Sequence, residues 1–104
     1  MTVKELEQAL GMSRANIRFY EKEGLLSPLR LENGYRDYTP DDLETLRKIK
    51  LLRQLQVPVE DIRALQQGGK ELTALLAAQE EDLRRRASDL EAARTLCRRL
   101  EADQ

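Results

Sequence analysis

The chain has 104 residues, enough for one small domain, with 36% charged side chains and a net charge of −1. No apolar run is long enough to span a bilayer, MTVKELEQAL lacks the basic-then-apolar layout of a signal peptide, and the single cysteine, Cys97, excludes an internal disulfide framework, so a reducing cytoplasm is expected. The near-neutral total argues against a uniformly basic nucleic-acid binder, yet the lysines and arginines are unevenly placed, so it says little about any one face.

Thr2 is placed to cap a first helix, with Glu5 three residues on completing a capping box. Val3, Leu6, Ala9 and Leu10 share one face, and Gly11 ends the helix. Ser13 caps a second helix, RANIRFYEKEG, which closes at Gly24. Two short helices joined by a tight glycine turn form a helix-turn-helix unit, a corner that many helical proteins carry without touching DNA. The pattern breaks at residues 25–28. Asn33-Gly34 then predicts a two-residue hairpin, both turn residues at positive φ, between strands at 29–32 and 35–38. A two-stranded ribbon directly after a helix-turn-helix is a wing.

Thr39 caps a third helix with Pro40 at its first position. Its acids come first and its cations later, an order that suits the helix dipole. Leu43, Leu46, Ile49, Leu51, Leu52 and Leu55 cover too wide an arc for one contact, so this helix is expected to pack on two neighbours. Pro58 opens a fourth helix, ended by Gly68-Gly69. From Lys70 onward no proline or glycine interrupts a fifth. There Leu76, Leu83, Leu90 and Cys97 repeat at seven, and Leu72, Gln79, Arg86, Ala93 and Leu100 supply the other seam position. The expected fold is therefore mainly α: a winged helix-turn-helix of four helices and a two-stranded wing over residues 1–68, then a long coiled-coil helix over 69–104.

On a helical wheel, Ser13, Ile17 and Tyr20 face the first helix, while Arg14, Arg18 and Lys22 form a stripe at i, i+4, i+8 bordered by Ala15 and Phe19. Three cations in a row repel one another unless an anion neutralises them. A duplex is such a partner; its major groove admits one helix, where Arg14 and Arg18 are placed to pair with guanine O6 and N7 and Lys22 to meet phosphate. The competing reading is a solvated face salt-bridged to Glu21 and Glu23. In the wing, Arg30 and Arg36 lie on opposite strands. Alternation puts Arg36 and Tyr38 on one face, where both can donate to phosphate, and Tyr35 on the other, packed inward beside Tyr20, Leu25 and Leu26. The four aromatics thus divide into a hub, Tyr20 and Tyr35, and a nucleic-acid border, Phe19 and Tyr38; a local mini-core of all four is the alternative.

The pieces Ile17-Arg18-Phe19-Tyr20-Glu21, Gly24-Leu25-Leu26, Pro28, Gly34-Tyr35-Arg36, Tyr38 and Asp42-Leu43, in this order, make residues 2–68 resemble the DNA-binding half of a MerR-type transcription regulator. The resemblance implies two winged helix-turn-helix subunits joined by an antiparallel coiled coil. It also implies a near-palindromic promoter operator controlled by DNA distortion, with RNA polymerase at the promoter as a further partner. Arg18 matches the family's recognition-helix arginine, and Arg36 and Tyr38 match its wing contacts to the backbone. Three positions depart from the pattern: Phe19 stands for the common tyrosine, Asn16 for threonine, and Gln56 for a glycine between the third and fourth helices.

The candidate DNA-binding residues are therefore Ser13, Arg14, Arg18, Phe19, Lys22, Arg30, Arg36 and Tyr38. The candidate homodimer seam is Leu72, Leu76, Leu83, Leu90, Cys97 and Leu100, against the alternative of a helix folded back on its own domain. With no histidine and one cysteine, no metal site is expected. No nucleophile–base pair or phosphate-binding glycine loop points to an enzyme or a cofactor. No effector pocket is expected within these residues, which fits either a sensor segment beyond them or a regulator without a ligand pocket of its own. The alternative to a DNA-binding regulator is a helical protein–protein adaptor that kept the fold without binding DNA.

Overall fold

The computed structural model describes residues 1–104 and divides into two compact units, Met1–Gly69 and Lys70–Gln104. In the first unit, helix α1 (Val3–Leu10) starts at the Thr2–Glu5 capping box and ends at Gly11, whose φ of 62° lets its N–H reach the Glu7 carbonyl. Helix α2 (Arg14–Lys22) begins at Ser13, whose hydroxyl accepts the Asn16 N–H. The short antiparallel strands β1 (Leu29–Arg30) and β2 (Arg36–Asp37) pair Leu29 with Asp37 and Arg30 with Arg36. Helix α3 (Pro40–Gln54) carries a full Thr39–Asp42 capping box, and α4 (Val59–Gln66) follows Pro58.

The core of this unit forms where these elements meet. Leu6 and Leu10 of α1, Ile17 and Tyr20 of α2, Leu46 and Ile49 of α3, and Ile62 of α4 are buried together with Leu25, Leu26, Tyr38 and Val57. Helix α3 packs on both α1 and α4, as the width of its apolar arc predicts. Lys50 of α3 donates to the Leu10 carbonyl at the end of α1, a cation placed on a negative helix terminus. Between α3 and α4, Gln56 has φ 65°, the left-handed conformation that a glycine would adopt without strain. A side chain there costs about 1 kcal/mol. The Arg53 guanidinium spans this turn to the Val57 carbonyl at 2.8 Å.

The hairpin differs from its predicted form. Only Gly34 (φ 85°) has positive φ; Asn33 does not. Gly34 N–H donates to Leu31 O, and Leu31 N–H donates to Tyr35 O, so three residues rather than two close the loop. This is the three-residue alternative to the two-residue turn. The strands are also shorter than 29–32 and 35–38. A one-residue change in register exchanges inward and outward faces, and the tyrosines follow it: Tyr38 is 1% exposed and Tyr35 73%.

In the second unit, helix α5 (Leu72–Ala102) starts two residues later than the absence of breakers suggests, because the Glu71 carboxylate caps the N–H groups of Thr73 and Ala74. Its buried residue is Leu75, which lies off the heptad seam. Leu72, Leu76, Leu90, Leu96, Leu100 and Cys97 are exposed, and Leu83 is half-buried. No helix in either unit is long and apolar enough to cross a membrane.

Candidate nucleic-acid interface

Burying Ile17 and Tyr20 leaves Arg14, Arg18, Phe19 and Lys22 of α2 exposed to solvent, and Ser13 is exposed at the N-cap. The cations differ in their partners. Arg14 donates to Glu7 of α1 at 3.3 Å, while Arg18 and Lys22 form no ion pair. Phe19 is 46% exposed and meets Tyr20 edge-to-face, with ring centroids 5.4 Å apart. An exposed ring so fixed offers apolar contact at little entropic cost.

In the wing, Arg30 and Arg36 stand directly opposite each other. Like charges in that position repel. Two acceptors offset the repulsion: Arg30 reaches the Gly34 carbonyl at 3.4 Å, and Arg36 Nε donates to both Glu21 oxygens of α2, at 2.9 and 2.8 Å. The Glu21 carboxylate, foremost through that hydrogen bond, holds the Arg36 guanidinium above its ordinary pKa. Glu21 therefore links the recognition helix to the wing across fifteen positions of sequence.

Tyr38 is a correction to the sequence expectation. Its hydroxyl is buried without a hydrogen-bond partner and cannot reach a phosphate from this position. Burial, and then the nearby Glu21 charge, push its phenol pKa up, while Arg36 and Arg18 pull the other way. The inward aromatics are Tyr20 and Tyr38, and the outward ones are Phe19 and Tyr35, so Tyr35 is not part of the hub.

Between α2, the wing and the start of α1 lies a groove of 560 Å³ that brings Arg18 and Arg36 together, with Thr2, Leu31, Gly34 and Tyr35 also on its walls. Arg14, Lys22 and Arg30 lie outside its lining. At the far end of α2, Arg63 of α4 donates to the Glu23 carbonyl at 2.7 Å and to its carboxylate at 2.9 Å, and Gln66 donates to Leu25 O at 3.0 Å. A guanidinium at the C-terminus of α2 satisfies a carbonyl left open there and complements the helix dipole. Sequence reasoning missed both Glu21 and Arg63 as organisers of the site. Arg63 comes forty positions after Glu23, and no local pattern links them. No group of three or more histidine, cysteine or acidic side chains is placed to hold a metal ion.

Residues 1–69 match the family model described as MerR HTH family regulatory protein. The chain is 42% identical over 66 residues to heavy metal-dependent transcription regulator 2 of Rhizobium meliloti, covering 62% of this chain and 45% of that protein. It is 42% identical over 84 residues to the HTH-type transcriptional regulator SkgA of Caulobacter vibrioides, covering 79% of this chain and 33% of that protein. The chain thus spans less than half the length of these two relatives. Among solved structures it resembles the N-terminal part of the Bacillus subtilis multidrug transporter activator, MtaN, with a TM-score of 0.82 and 26% identity over 96% of this chain and 97% of that one. It also resembles HiNmlR, a regulator lacking the sensor domain and bound to promoter DNA, with a TM-score of 0.67 and 26% identity over 88% of this chain and 75% of that one.

Proposed function

The chain belongs to the MerR family of helix-turn-helix regulatory proteins, and from that premise we propose that it is a sequence-specific, DNA-binding transcription regulator. It works as a homodimer in the cytoplasm, on a near-palindromic promoter operator shared with RNA polymerase, by distorting the duplex. The observation that carries this proposal is the groove in which unpaired Arg18 of α2 and Arg36 of the wing converge. Arg18 reads base edges from the major groove. Arg14 reaches base edges beside Arg18; Lys22, Arg30 and Arg36 meet phosphates, Ser13 contributes its hydroxyl, and Phe19 makes apolar contact. Residues 1–68 form the DNA-binding domain and 69–104 the dimerisation helix. Its exposed leucines, with Leu83 and Cys97, are covered by a second copy in antiparallel array. Two-fold symmetry of the protein then matches the inverted repeat of the operator.

Affinity for a panel of inverted-repeat duplexes tests the readout. Arg18→Ala is expected to flatten discrimination among them by about 1–3 kcal/mol. An unchanged ranking would remove Arg18 from base reading. Sedimentation of a Leu83→Lys, Leu90→Lys variant tests the dimer: half the wild-type mass is expected, and an unchanged mass would remove the α5 seam.

A further inference from the structure

The Glu21–Arg36 pair bears on how the groove meets its ligand. Only the Nε edge of Arg36 is engaged, and it serves both carboxylate oxygens. A guanidinium has further N–H groups on its two terminal nitrogens, and those of Arg36 have no partner. The pair is well fixed, with the Arg36 and Glu21 side chains 27% and 17% exposed. Arg36 also lines the groove with Arg18, a second and unpaired cation, while the acids there, Glu5 and Asp37, are engaged by Thr2 N–H and the Met1 ammonium.

Resting on the DNA-binding reading above, we propose that Glu21 is a positioning residue for duplex binding: it holds Arg36 by its Nε edge and turns the remaining N–H groups toward a backbone phosphate. Arginine suits this double duty because its donors lie in a rigid planar fork. Lysine has a single nitrogen and cannot present two such edges. The same contact fixes the wing against α2, so Arg36 and Arg18 keep their spacing along the groove.

The sign of one substitution is diagnostic. A carboxylate beside a duplex repels phosphate, so deleting it should by charge alone strengthen binding. The positioning role demands the reverse. Affinity for mixed-sequence duplex DNA across a salt series is measured for the wild type, Glu21→Ala, Arg36→Ala, the double variant and Arg36→Lys; phosphate contacts do not depend on base sequence. Thermal melting by circular dichroism reports whether each variant is folded. Glu21→Ala is expected to bind about tenfold more weakly, with a log K against log salt slope shallower by about one. In the Arg36→Ala background the same change is expected to cause no weakening, only the small gain that removing a carboxylate gives by charge alone, and Arg36→Lys to bind more weakly than wild type. Tighter binding on losing Glu21, or equal weakening in both backgrounds, overturns the positioning role while leaving DNA binding intact. A wild-type chain without salt-dependent duplex affinity overturns both.

Discussion

Arginine–carboxylate pairs serve different ends in the two units. In Met1–Gly69 two of them join residues distant in sequence, Arg36 to Glu21, fifteen positions apart, and Arg63 to Glu23, forty apart, beside the local Arg47–Glu44 pair on α3. The two long-range pairs are partly buried, and both fix α2 against another element. In Lys70–Gln104, Arg84 pairs with Glu80 and Glu81, and Arg94 with Glu91, at helical spacings of three or four in full solvent. Such local pairs each contribute only about 0.2–0.5 kcal/mol to a helix. The same two residue types thus set tertiary geometry around α2 and support single helices elsewhere, on α3 and α5. Placement decides the role, and composition does not distinguish them.

That contrast can be broken by substitution. The largest effect is expected in the core that both long-range pairs surround. Leu46 is 0% exposed, so Leu46→Ala should cost about 2–5 kcal/mol in urea unfolding. A loss below 1 kcal/mol would mean the core tolerates collapse there. Arg63→Ala comes next. It removes a cation from the C-terminus of α2 and leaves the Glu23 carbonyl open, at a cost of about 1–2 kcal/mol by the same method. Tyr38→Phe has the opposite sign. The buried hydroxyl has no partner, so its removal should raise stability by about 1 kcal/mol. The pH dependence sharpens this. Burial raises the phenol pKa above its ordinary value, so the neutral form is favoured in the folded state. The stability this contributes is complete below about pH 10, the unfolded pKa, and declines as pH rises toward the folded value. Tyr38→Phe should lose less stability than wild type over that alkaline range in thermal melts. A wild-type and variant pair that decline equally would remove burial of the phenol as the cause. The smallest effect belongs to α5, where Arg84→Ala should shift stability by less than about 0.5 kcal/mol. If Arg63→Ala and Arg84→Ala cost the same, the distinction between the two kinds of pair is lost.

Local chemistry made much of the fold legible before coordinates. The Thr2–Glu5 box, the Ser13 and Thr39 caps and the Gly11 stop each depend on residues within a few positions, and each lies where the sequence puts it. The exposed stripe on α2 follows from burying Ile17 and Tyr20. The wing was less legible. Asn33-Gly34 marks a turn without fixing its length, and the three-residue loop is accompanied by an inward Tyr38, whose N–H bonds the Met1 carbonyl, and an outward Tyr35. Glu21 and Arg63 were illegible as organisers because their partners come from distant segments. Gln56 is a different case. Its positive φ is signalled only by the resemblance, in which a glycine stands at this position, since glutamine itself gives no sign of it.

The central claim is that α2 and the wing together form one cationic surface for a duplex. Titrating wild-type protein and Arg18→Ala against an inverted-repeat duplex over a range of salt concentrations tests it most directly. Log K of the wild type is expected to fall steeply and linearly with log salt, and Arg18→Ala to bind more weakly across the whole range. Affinity independent of salt, and indifferent to the loss of Arg18, would contradict it and favour a protein partner for this face.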